Sequence, residues 1–375
     1  MGRGMQMRAA AIRLVVISTA LSLFLFMVEF AIGGEPNPDC GRPSDIHDGW
    51  HIGPPEQQGF DAALLCAMGK GVLDGKLSNV DSIVVVRHGV LVYERYFDYP
   101  NHPSFDATTR HTGNSMAKSV VSLLVGIAMD RGLIKDLNAP IFSYFPEYAN
   151  LRTPEKDRIT LRNLLTMSGG LNASVAHPIA RHDHDPYRSA LGPNLARAPG
   201  ISFEYNSSET ELIGAVLQKV SGKTVDILAR EKIFVPLGIK DIDWYGRLGN
   251  GVPTSSTGLS LRPRDWAKIG QLVLNRGAWE GEQIVSASWI AQSTAEQIKA
   301  QKRLSYGFQW WRGRSQIEGR VVEWTAAMGV NSQKIIIVPE LDMIVVFNAS
   351  LESARMIAPE IQLLDEYVLP AILKH

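Results

Sequence analysis

The sequence predicts a mixed α/β fold of the α+β type, in which one antiparallel sheet is built from both ends of the chain and is interrupted by a mostly helical insertion. Apolar runs rich in β-branched residues occur near residues 82–97 and again between residues 306 and 347. Helical patterns and loops fill most of residues 115–300. The 375 residues also exceed a comfortable single core of about 300 residues. Strands at both ends with helices between them therefore favour a sheet subdomain that both ends of the chain build together, with a helical subdomain inserted between its two parts.

The elements follow in order along the chain. A proline-rich stretch at residues 34–55 is predicted to be a linker, and a helix is predicted at residues 62–73. Two strands at residues 82–87 and 90–97 are joined by two residues, which predicts a β-hairpin. The other strands and a final helix are predicted from the C-terminal pattern, at residues 306–311, 321–325, 334–338, 343–347 and about 354–373. The body of the protein, residues 56–375, then divides into a sheet subdomain at residues 56–114 and 301–375 and a helical subdomain at residues 115–300.

Residues 1–33 have the pattern of a secretory signal peptide. Arginines precede the apolar run at residues 14–28, and small residues near Gly33 favour cleavage there. The alternative is an uncleaved N-terminal membrane anchor, because apolar residues continue past Glu29. In either case we expect the body of the protein to be exported, to the periplasm or the extracellular space.

Charge and cysteine content exclude several classes of protein. The chain has 38 Lys+Arg and 38 Asp+Glu, whereas a nucleic-acid binder normally carries a basic surplus. Two cysteines are too few for a four-cysteine zinc site or for a small fold stabilised by several disulfide bonds. In an oxidising compartment Cys40 and Cys66 could pair, but their spacing does not decide whether they do.

Ser115 and Lys118 form the one Ser-x-x-Lys sequence of the chain. The residues before Ser115 have the pattern of a loop and an N-cap, and the apolar residues 120–129 continue as a buried helix. Ser115 would then lie in the first turn, where free N–H groups and the helix dipole favour negative charge. Lys118, three residues later, would lie on the same face of the helix.

This pair suggests nucleophilic catalysis, since a neutral Lys118 could accept the proton of Ser115. Burial near a cation or a phenol would favour the neutral amine. The alternative interpretation is a capping serine beside a lysine that reaches solvent.

Two further segments extend the motif. Tyr205-Asn206-Ser207 precedes an amphipathic helix, and residues 327–333 form a tight turn that leads into the strand at residues 334–338. Together with Ser115 and Lys118, they resemble the serine β-lactamase and penicillin-binding-protein superfamily. The closer likeness is to class C β-lactamases, family VIII-type esterases and 6-aminohexanoate-dimer hydrolases. Further matching segments extend the resemblance from about residue 50 to the C terminus, at residues 159–171, 258–270 and 306–311.

The resemblance implies a five-stranded antiparallel sheet flanked by terminal helices, with a helical subdomain inserted. It also implies that Ser115 is the acylated nucleophile, that Lys118 is its base and that Tyr205 passes the proton to the leaving group. The backbone N–H groups of Ser115 and Val330 would form the oxyanion hole, and Ser207 would contact the substrate.

The third motif departs from the family pattern. The family usually has Lys-Thr-Gly or His-Thr-Gly where this chain has Ala327-Met328-Gly329. We expect substrate contacts at Ala327, Gly329 and Asn331, but without the cation that holds a substrate carboxylate. Efficient turnover of β-lactams is therefore not expected.

The sequence thus predicts an exported serine hydrolase that acts through an acyl-enzyme on carboxylic esters or linear, non-lactam amides, without metal or cofactor. One alternative is a D-Ala peptidase or β-lactamase that uses the same site. Another is a non-catalytic module of the same fold that binds cell wall or a partner. The loop at residues 182–185 contains two histidines and two aspartates, but no third region of ligands converges with it, so no metal site is predicted. The expected partner is a small ester or amide, and nucleic acid is not expected. A membrane tether at the N terminus belongs to the alternative in which residues 1–33 are retained.

Overall fold

The computed structural model describes most of the chain; the predicted signal peptide or anchor at residues 1–33 lies outside the described residues. The chain divides into two compact units, residues 1–40 and residues 41–375. Within the described part, no helix is both long and apolar enough to cross a bilayer. The described residues are 40–75, 80–98, 104–173, 183–301, 303–317, 319–349 and 359–372.

A large sheet forms the centre of the second unit. The strands, in chain order, are β1 (His51–Ile52), β2 (Ser82–Arg87), β3 (Val90–Tyr96), β4 (His111–Thr112), β5 (Asp243–Trp244), β6 (Leu259–Leu261), β7 (Ala278–Trp279), β8 (Glu282–Gln283), β9 (Ile298–Lys299), β10 (Ser305–Tyr306), β11 (Trp311–Ile317), β12 (Arg320–Gly329), β13 (Gln333–Val338) and β14 (Met343–Asn348). Among the described residues the sheet has nine strands in the order β1-β3-β2-β14-β13-β12-β11-β10-β9, and β4-β6-β5 and β7-β8 form two small sheets. Neighbours in the large sheet are antiparallel except β1 and β3, which are parallel.

Helices cover both faces of the large sheet. In chain order they are α1 (Ala62–Leu73), α2 (Ala117–Asp130), α3 (Leu161–Leu165), α4 (Pro186–Leu191), α5 (Ser207–Ser221), α6 (Val225–Ala229), α7 (Pro263–Leu274), α8 (Ala287–Thr294) and α9 (Pro359–Leu363). One apolar layer packs the sheet against α2, α5 and α7, and the other packs it against α1 and α9. Ile335 of β13 faces the first layer and Ile336 faces the second, as the two-residue period of a strand requires.

The structure confirms the predicted fold class and several elements. Helix α1 and strand β2 have the predicted bounds, and His88 and Gly89 adopt the positive φ values, 51° and 72°, of a two-residue hairpin turn. The sheet has nine strands rather than five, because β1, β9, β10 and β11 extend it at its two edges. The final helix is confirmed only in part, since α9 begins at Pro359 and residues 351–358 lie outside the described residues.

The strand predicted at residues 306–311 is wrong. Strand β10 ends at Tyr306 and β11 begins at Trp311, with Gln309 between them at a φ of 63°. The side-chain amide of Gln309 donates to the carbonyl oxygens of Leu164 and Leu165, at 3.2 and 3.0 Å. The chain bends here because these bonds to α3 replace the bonds of a continuous ladder.

The predicted linker at residues 34–55 also needs correction from residue 41 onward. The guanidinium of Arg264 is fully buried; it binds the Glu94 carboxylate and donates to Asp48 Oδ1 at 3.3 Å and to the carbonyl oxygen of Ser44 at 2.8 Å. Trp50 is buried beside it and donates to the carbonyl oxygen of Arg264. This ion cluster holds the segment against β3 and α7, so the segment belongs to the folded body.

Both cysteines of the chain, Cys40 and Cys66, are disulfide-bonded, and neither is free.

Candidate active site

Ser115 lies at the entrance of α2. Strand β4 ends at Thr112, residues Asn114–Met116 form one 3₁₀ turn, and α2 begins at Ala117. Asn114 has a φ of 47°, which turns the chain sharply just before Ser115. Nearly every residue of α2 is buried, as its apolar sequence predicts. Ser115 is half-buried and faces a cleft.

Lys118 lies directly below Ser115. Its Nζ lies 2.9 Å from Ser115 Oγ, and it donates at 2.9 Å to the carbonyl oxygen of Ser256. Lys118 is 1% exposed, so the alternative of a lysine that reaches solvent is wrong. The geometry allows an amine in the neutral state to accept the Ser115 proton without movement of either side chain.

Tyr205 forms the next part of the site. The Lys118 Nζ lies 5.0 Å from the centre of the Tyr205 ring, and this ring stacks on Trp311 at 5.7 Å and 22°. Asn206 caps α5: its side chain accepts from the Ser208 N–H and donates to the carbonyl oxygen of Leu171. The cap and the stacked ring together fix the position of the phenol next to the lysine.

The hairpin between β12 and β13 forms another wall of the site, next to Ser115. Its connection is Val330-Asn331-Ser332, in which Asn331 and Ser332 have φ values of 58° and 60°. The Asn114 side-chain amide donates to the carbonyl oxygen of Val330 at 3.0 Å, which ties the hairpin to the turn that carries Ser115. The main chain of Val330 therefore lies beside the nucleophile candidate.

These elements enclose a cleft of about 470 Å³. Four predicted residues line it, namely Ser115, Tyr205, Ser207 and Val330. Its other lining residues are Asn114, Ala173, Asn206, Ser256 and Thr257. Gly329 and Asn331 flank the lining residue Val330 but are not part of the wall. The prediction that Ala327 contacts substrate is wrong, because β12 turns this side chain into the helical layer, where it has no exposed surface.

The comparisons with known proteins agree with this geometry. The family model described as Beta-lactamase matches residues 79–364, more than half of the chain. The chain belongs to the beta-lactamase family. Members of this family are serine hydrolases that share a mixed α/β fold. The match confirms the family resemblance that was predicted from the sequence.

Several relatives of this beta-lactamase-family protein show the range of the fold. The 6-aminohexanoate-dimer hydrolase of Paenarthrobacter ureafaciens is 23% identical over 296 residues, covering 71% of each chain. The class C beta lactamase of Rhodobacter sphaeroides superposes with a TM-score of 0.64 at 17% identity, over 82% of this chain and 99% of that one. EstCE1, a hydrolase with promiscuous acyltransferase activity, superposes with a TM-score of 0.64 at 16% identity, over 81% of this chain and 98% of that one. Other curated relatives, including AmpH of Escherichia coli (strain K12), are matched over 40% or less of their own length.

Sequence reasoning missed two buried carboxylates of this beta-lactamase-family site. On α5, Glu209 accepts from the Gly169 N–H at 3.2 Å, and Glu211 accepts from the N–H groups of Ser255 and Ser256 at 2.6 and 3.1 Å. Burial raises the pKa of both carboxyl groups, and the backbone bonds oppose that rise. Their signal in the sequence is a pair of acidic residues in the first two turns of a helix that is otherwise buried.

A second groove of about 620 Å³ adjoins the cleft, and Tyr205 lines both. Its walls include Ile201, Phe203, Ile298 and Ala300. Ile201 is 72% exposed, so its side chain presents apolar surface at the wall of the groove.

The acidic residues of the 182–185 loop have structural partners. Asp185 is the N-cap of α4; its side chain accepts from the Arg188 N–H and from the Tyr148 hydroxyl. Asp183 accepts from Ser189 Oγ. In the part of the chain that the structure describes, which excludes residues 174–182, no three His, Cys, Asp or Glu side chains are placed to hold a metal ion.

Proposed function

We propose that this protein is an exported serine hydrolase that forms an acyl-enzyme on Ser115 and hydrolyses uncharged carboxylic esters or linear, non-lactam amides. The observation that carries the proposal is the position of Lys118 Nζ, 2.9 Å from Ser115 Oγ and buried beneath a cleft that Tyr205 lines. A serine, a buried amine and a phenol in one cleft provide a nucleophile, its base and a proton carrier.

The reaction divides into two steps. In acylation, Lys118 takes the proton of Ser115 Oγ while this oxygen attacks the substrate carbonyl carbon. The N–H groups of Ser115 and Val330 stabilise the oxyanion, each worth about 3 kcal/mol where such donors have been removed. The leaving oxygen or nitrogen takes a proton from the Tyr205 hydroxyl, which Lys118 replaces. In deacylation, a water molecule gives a proton to the same pair as its oxygen attacks the acyl carbon. The bond between this carbon and Ser115 Oγ then breaks, Oγ takes the proton back from the pair, and the acid is released.

The cleft favours an uncharged substrate. Among the described residues, its walls carry no lysine or arginine, and Lys118 lies beneath the floor, where its Nζ contacts Ser115 Oγ and the carbonyl oxygen of Ser256. A substrate carboxylate would lose its hydration in the cleft without a cation to replace it. The apolar surfaces of Val330 and Ile201 instead suit an aliphatic acyl chain. The similar structure named as a hydrolase with promiscuous acyltransferase activity is consistent with an acyl-enzyme at such a cleft.

Export is supported by two observations. Residues 1–33 have the pattern of a signal peptide or anchor. The two cysteines are disulfide-bonded, a state that persists in the periplasm and the extracellular space.

Burst kinetics test the proposal. Full-length protein is mixed with p-nitrophenyl butyrate, alongside Ser115→Ala and the control Ser122→Ala, which removes another serine of α2. We expect a burst near one equivalent followed by turnover, abolished in Ser115→Ala and retained in Ser122→Ala. An unchanged burst in Ser115→Ala would remove Ser115 as the nucleophile and favour the non-catalytic binding module.

Substrate class is tested with matched pairs. We expect p-nitrophenyl butyrate to be cleaved with a higher kcat/KM than p-nitrophenyl hemisuccinate, which carries a carboxylate. A burst with the β-lactam nitrocefin that exceeds the ester burst would instead favour the peptidase or β-lactamase alternative.

A further inference from the structure

A buried carboxylate on α5 binds the backbone that positions the lysine. Glu211 is 5% exposed, and both of its oxygens accept backbone bonds, Oε2 from Ser255 and Oε1 from Ser256. The carbonyl oxygen of Ser256 in turn accepts from Lys118, which contacts Ser115. Four residues from three separate segments therefore form one continuous chain of hydrogen bonds.

The Ser256 carbonyl restricts how Lys118 can be oriented. A carbonyl oxygen only accepts hydrogen bonds, so one N–H of the lysine must point towards it. In a neutral amine this leaves the lone pair free for the hydroxyl proton of Ser115. A shift of the Ser256 peptide would turn the lone pair away, and misplacement of a reacting group by about 1 Å can cost 100-fold in rate.

The packing around Glu211 leaves little room for such a shift. A Cβ atom built on Gly214, one turn further along α5, would fall 1.8 Å from Ser255 Oγ. Helix α5 and the segment at residues 254–257 are thus in direct contact. The segment is also held by its own bonds, from Thr254 Oγ1 to the carbonyl oxygen of Thr257 and from Trp244 Nε1 to the carbonyl oxygen of Thr254.

We propose that Glu211 is the positioning residue of the nucleophile. Through the N–H groups of Ser255 and Ser256 it fixes the carbonyl that orients Lys118, and its negative charge stabilises the ammonium that forms when Lys118 takes the Ser115 proton. The inference rests on the proposed function, since it assigns Glu211 a role in the acylation step. This role requires the carboxylate form of Glu211, in which both oxygens accept backbone N–H bonds, and involves no proton exchange with Lys118.

The surroundings of Glu211 act on the ionisation of its carboxyl group in two opposite directions. Burial raises the pKa of the Glu211 carboxyl group, while the bonds from Ser255 and Ser256 and the charge of Lys118 oppose that rise. Glu209, although equally buried, binds Gly169 instead and has no bond to the Ser255–Ser256 segment among those described. Burial of a carboxylate on α5 is therefore not enough to position Lys118. Glu211 differs from Glu209 because it binds the Ser255–Ser256 segment, whose carbonyl oxygen contacts Lys118.

Glu211→Gln tests the inference, since it keeps the shape of the side chain but removes its charge and one acceptor. With p-nitrophenyl butyrate we expect the burst rate and kcat to fall about 100-fold with KM within about twofold. The acidic limb of the pH–rate profile should also move to lower pH, because loss of a negative charge beside Lys118 favours its neutral form. A merely structural role for Glu211 would not move this limb. The groups that face Lys118 among the described residues are Ser115, Ser256, Tyr205 and Glu211.

Two variants accompany this test. Glu360→Gln also neutralises a fully buried carboxylate, but on the opposite face of the sheet, and should lower stability without changing kcat. Gly214→Ala displaces Ser255 without changing charge, so it should lower kcat and leave the acidic limb of the pH–rate profile in place. This variant tests the inference if Glu211→Gln does not fold.

The outcomes separate the two proposals. A Glu211→Gln enzyme with the kcat and pH profile of the wild type overturns the inference, as does an equal loss of kcat in Glu360→Gln. If the burst survives in Ser115→Ala, the proposed function itself is wrong.

Discussion

Gly329 at the end of β12 lies against the carbonyl oxygen of Gly113 in the turn before Ser115. A Cβ atom built on Gly329 would fall 2.3 Å from that oxygen and 3.0 Å from the Cβ of Asn114. No side chain fits between the two backbones. The glycine therefore allows the hairpin that carries Val330 to approach the serine turn closely. This approach brings together the two N–H groups proposed as the oxyanion hole.

Gly329→Ala should separate these two backbones. We expect kcat for p-nitrophenyl butyrate to fall about 100-fold, comparable to loss of one oxyanion donor, with a smaller change in KM. Gly53→Ala is the control, because its added Cβ would meet only Cγ1 of Val90, at 3.1 Å. Equal kcat values for Gly329→Ala and wild type would show that Val330 does not stabilise the oxyanion.

The Tyr205 hydroxyl should matter most for poor leaving groups. Tyr205→Phe keeps the stacking on Trp311 and the ring contact with Lys118, but it removes the proton proposed for the leaving group. We expect kcat/KM for ethyl butyrate to fall about 100-fold or more, and that for p-nitrophenyl butyrate much less, since p-nitrophenolate leaves without protonation. Tyr144→Phe, in a different part of the helical layer, is the control. An equal loss on both esters would contradict a role in leaving-group protonation.

The groove beside Tyr205 should select for acyl chain length. Ile201→Ser removes apolar surface from its wall, so kcat/KM for p-nitrophenyl octanoate should fall roughly tenfold while that for the acetate changes little, since each buried methylene is worth about 0.8 kcal/mol. Ile227→Ser, at an isoleucine of α6 that is 48% exposed, is the matched control. If octanoate and acetate respond alike to Ile201→Ser, the acyl chain does not occupy this groove.

The parts of the site that follow from local sequence could be predicted. Ser115 and Lys118 lie three residues apart at the start of one apolar helix, so their contact follows from helix geometry and burial. Tyr205 could be proposed as a site residue from the Tyr-x-Ser motif just ahead of another helix, and in the structure its ring lies beside Lys118.

The parts that depend on distant contacts could not be predicted. Glu211 binds the backbone of a loop that is 44 and 45 residues further along the chain, and nothing in the pattern of α5 indicates where that loop lies. The bend at Gln309 could not be predicted for the same reason, since its bonds to Leu164 and Leu165 override a local sequence that favours a strand. The position of Ala327 could not be predicted, because the alternation along β12 shows which face of the sheet a side chain occupies only once the register of the strand is known.

A buried histidine in the strand before Ser115 should make stability depend on pH. His111 is 4% exposed; its ring lies 4.2 Å from that of Phe105, and its Nδ1 lies 3.7 Å from Asp81 Oδ2, beyond hydrogen-bond distance. Burial lowers the pKa of His111 to about 4. In the unfolded chain an imidazole has a pKa of about 6.5. Between pH 6.5 and pH 4 the unfolded state therefore binds more protons than the folded state, and the free energy of unfolding falls as the pH falls.

Urea unfolding at intervals from pH 7.5 to pH 4 measures this dependence. In wild type, His111 should account for up to about 3 kcal/mol of the fall in the free energy of unfolding between pH 6.5 and pH 4, since one pKa unit corresponds to about 1.4 kcal/mol. His111→Leu should lose this part of the pH dependence. Comparison with His51→Leu, which removes an exposed histidine of β1, cancels the carboxylate contribution to acid unfolding that all three proteins share. Parallel slopes for wild type and His111→Leu would mean that His111 becomes protonated in the folded state, with Asp81 as the nearest counter-charge.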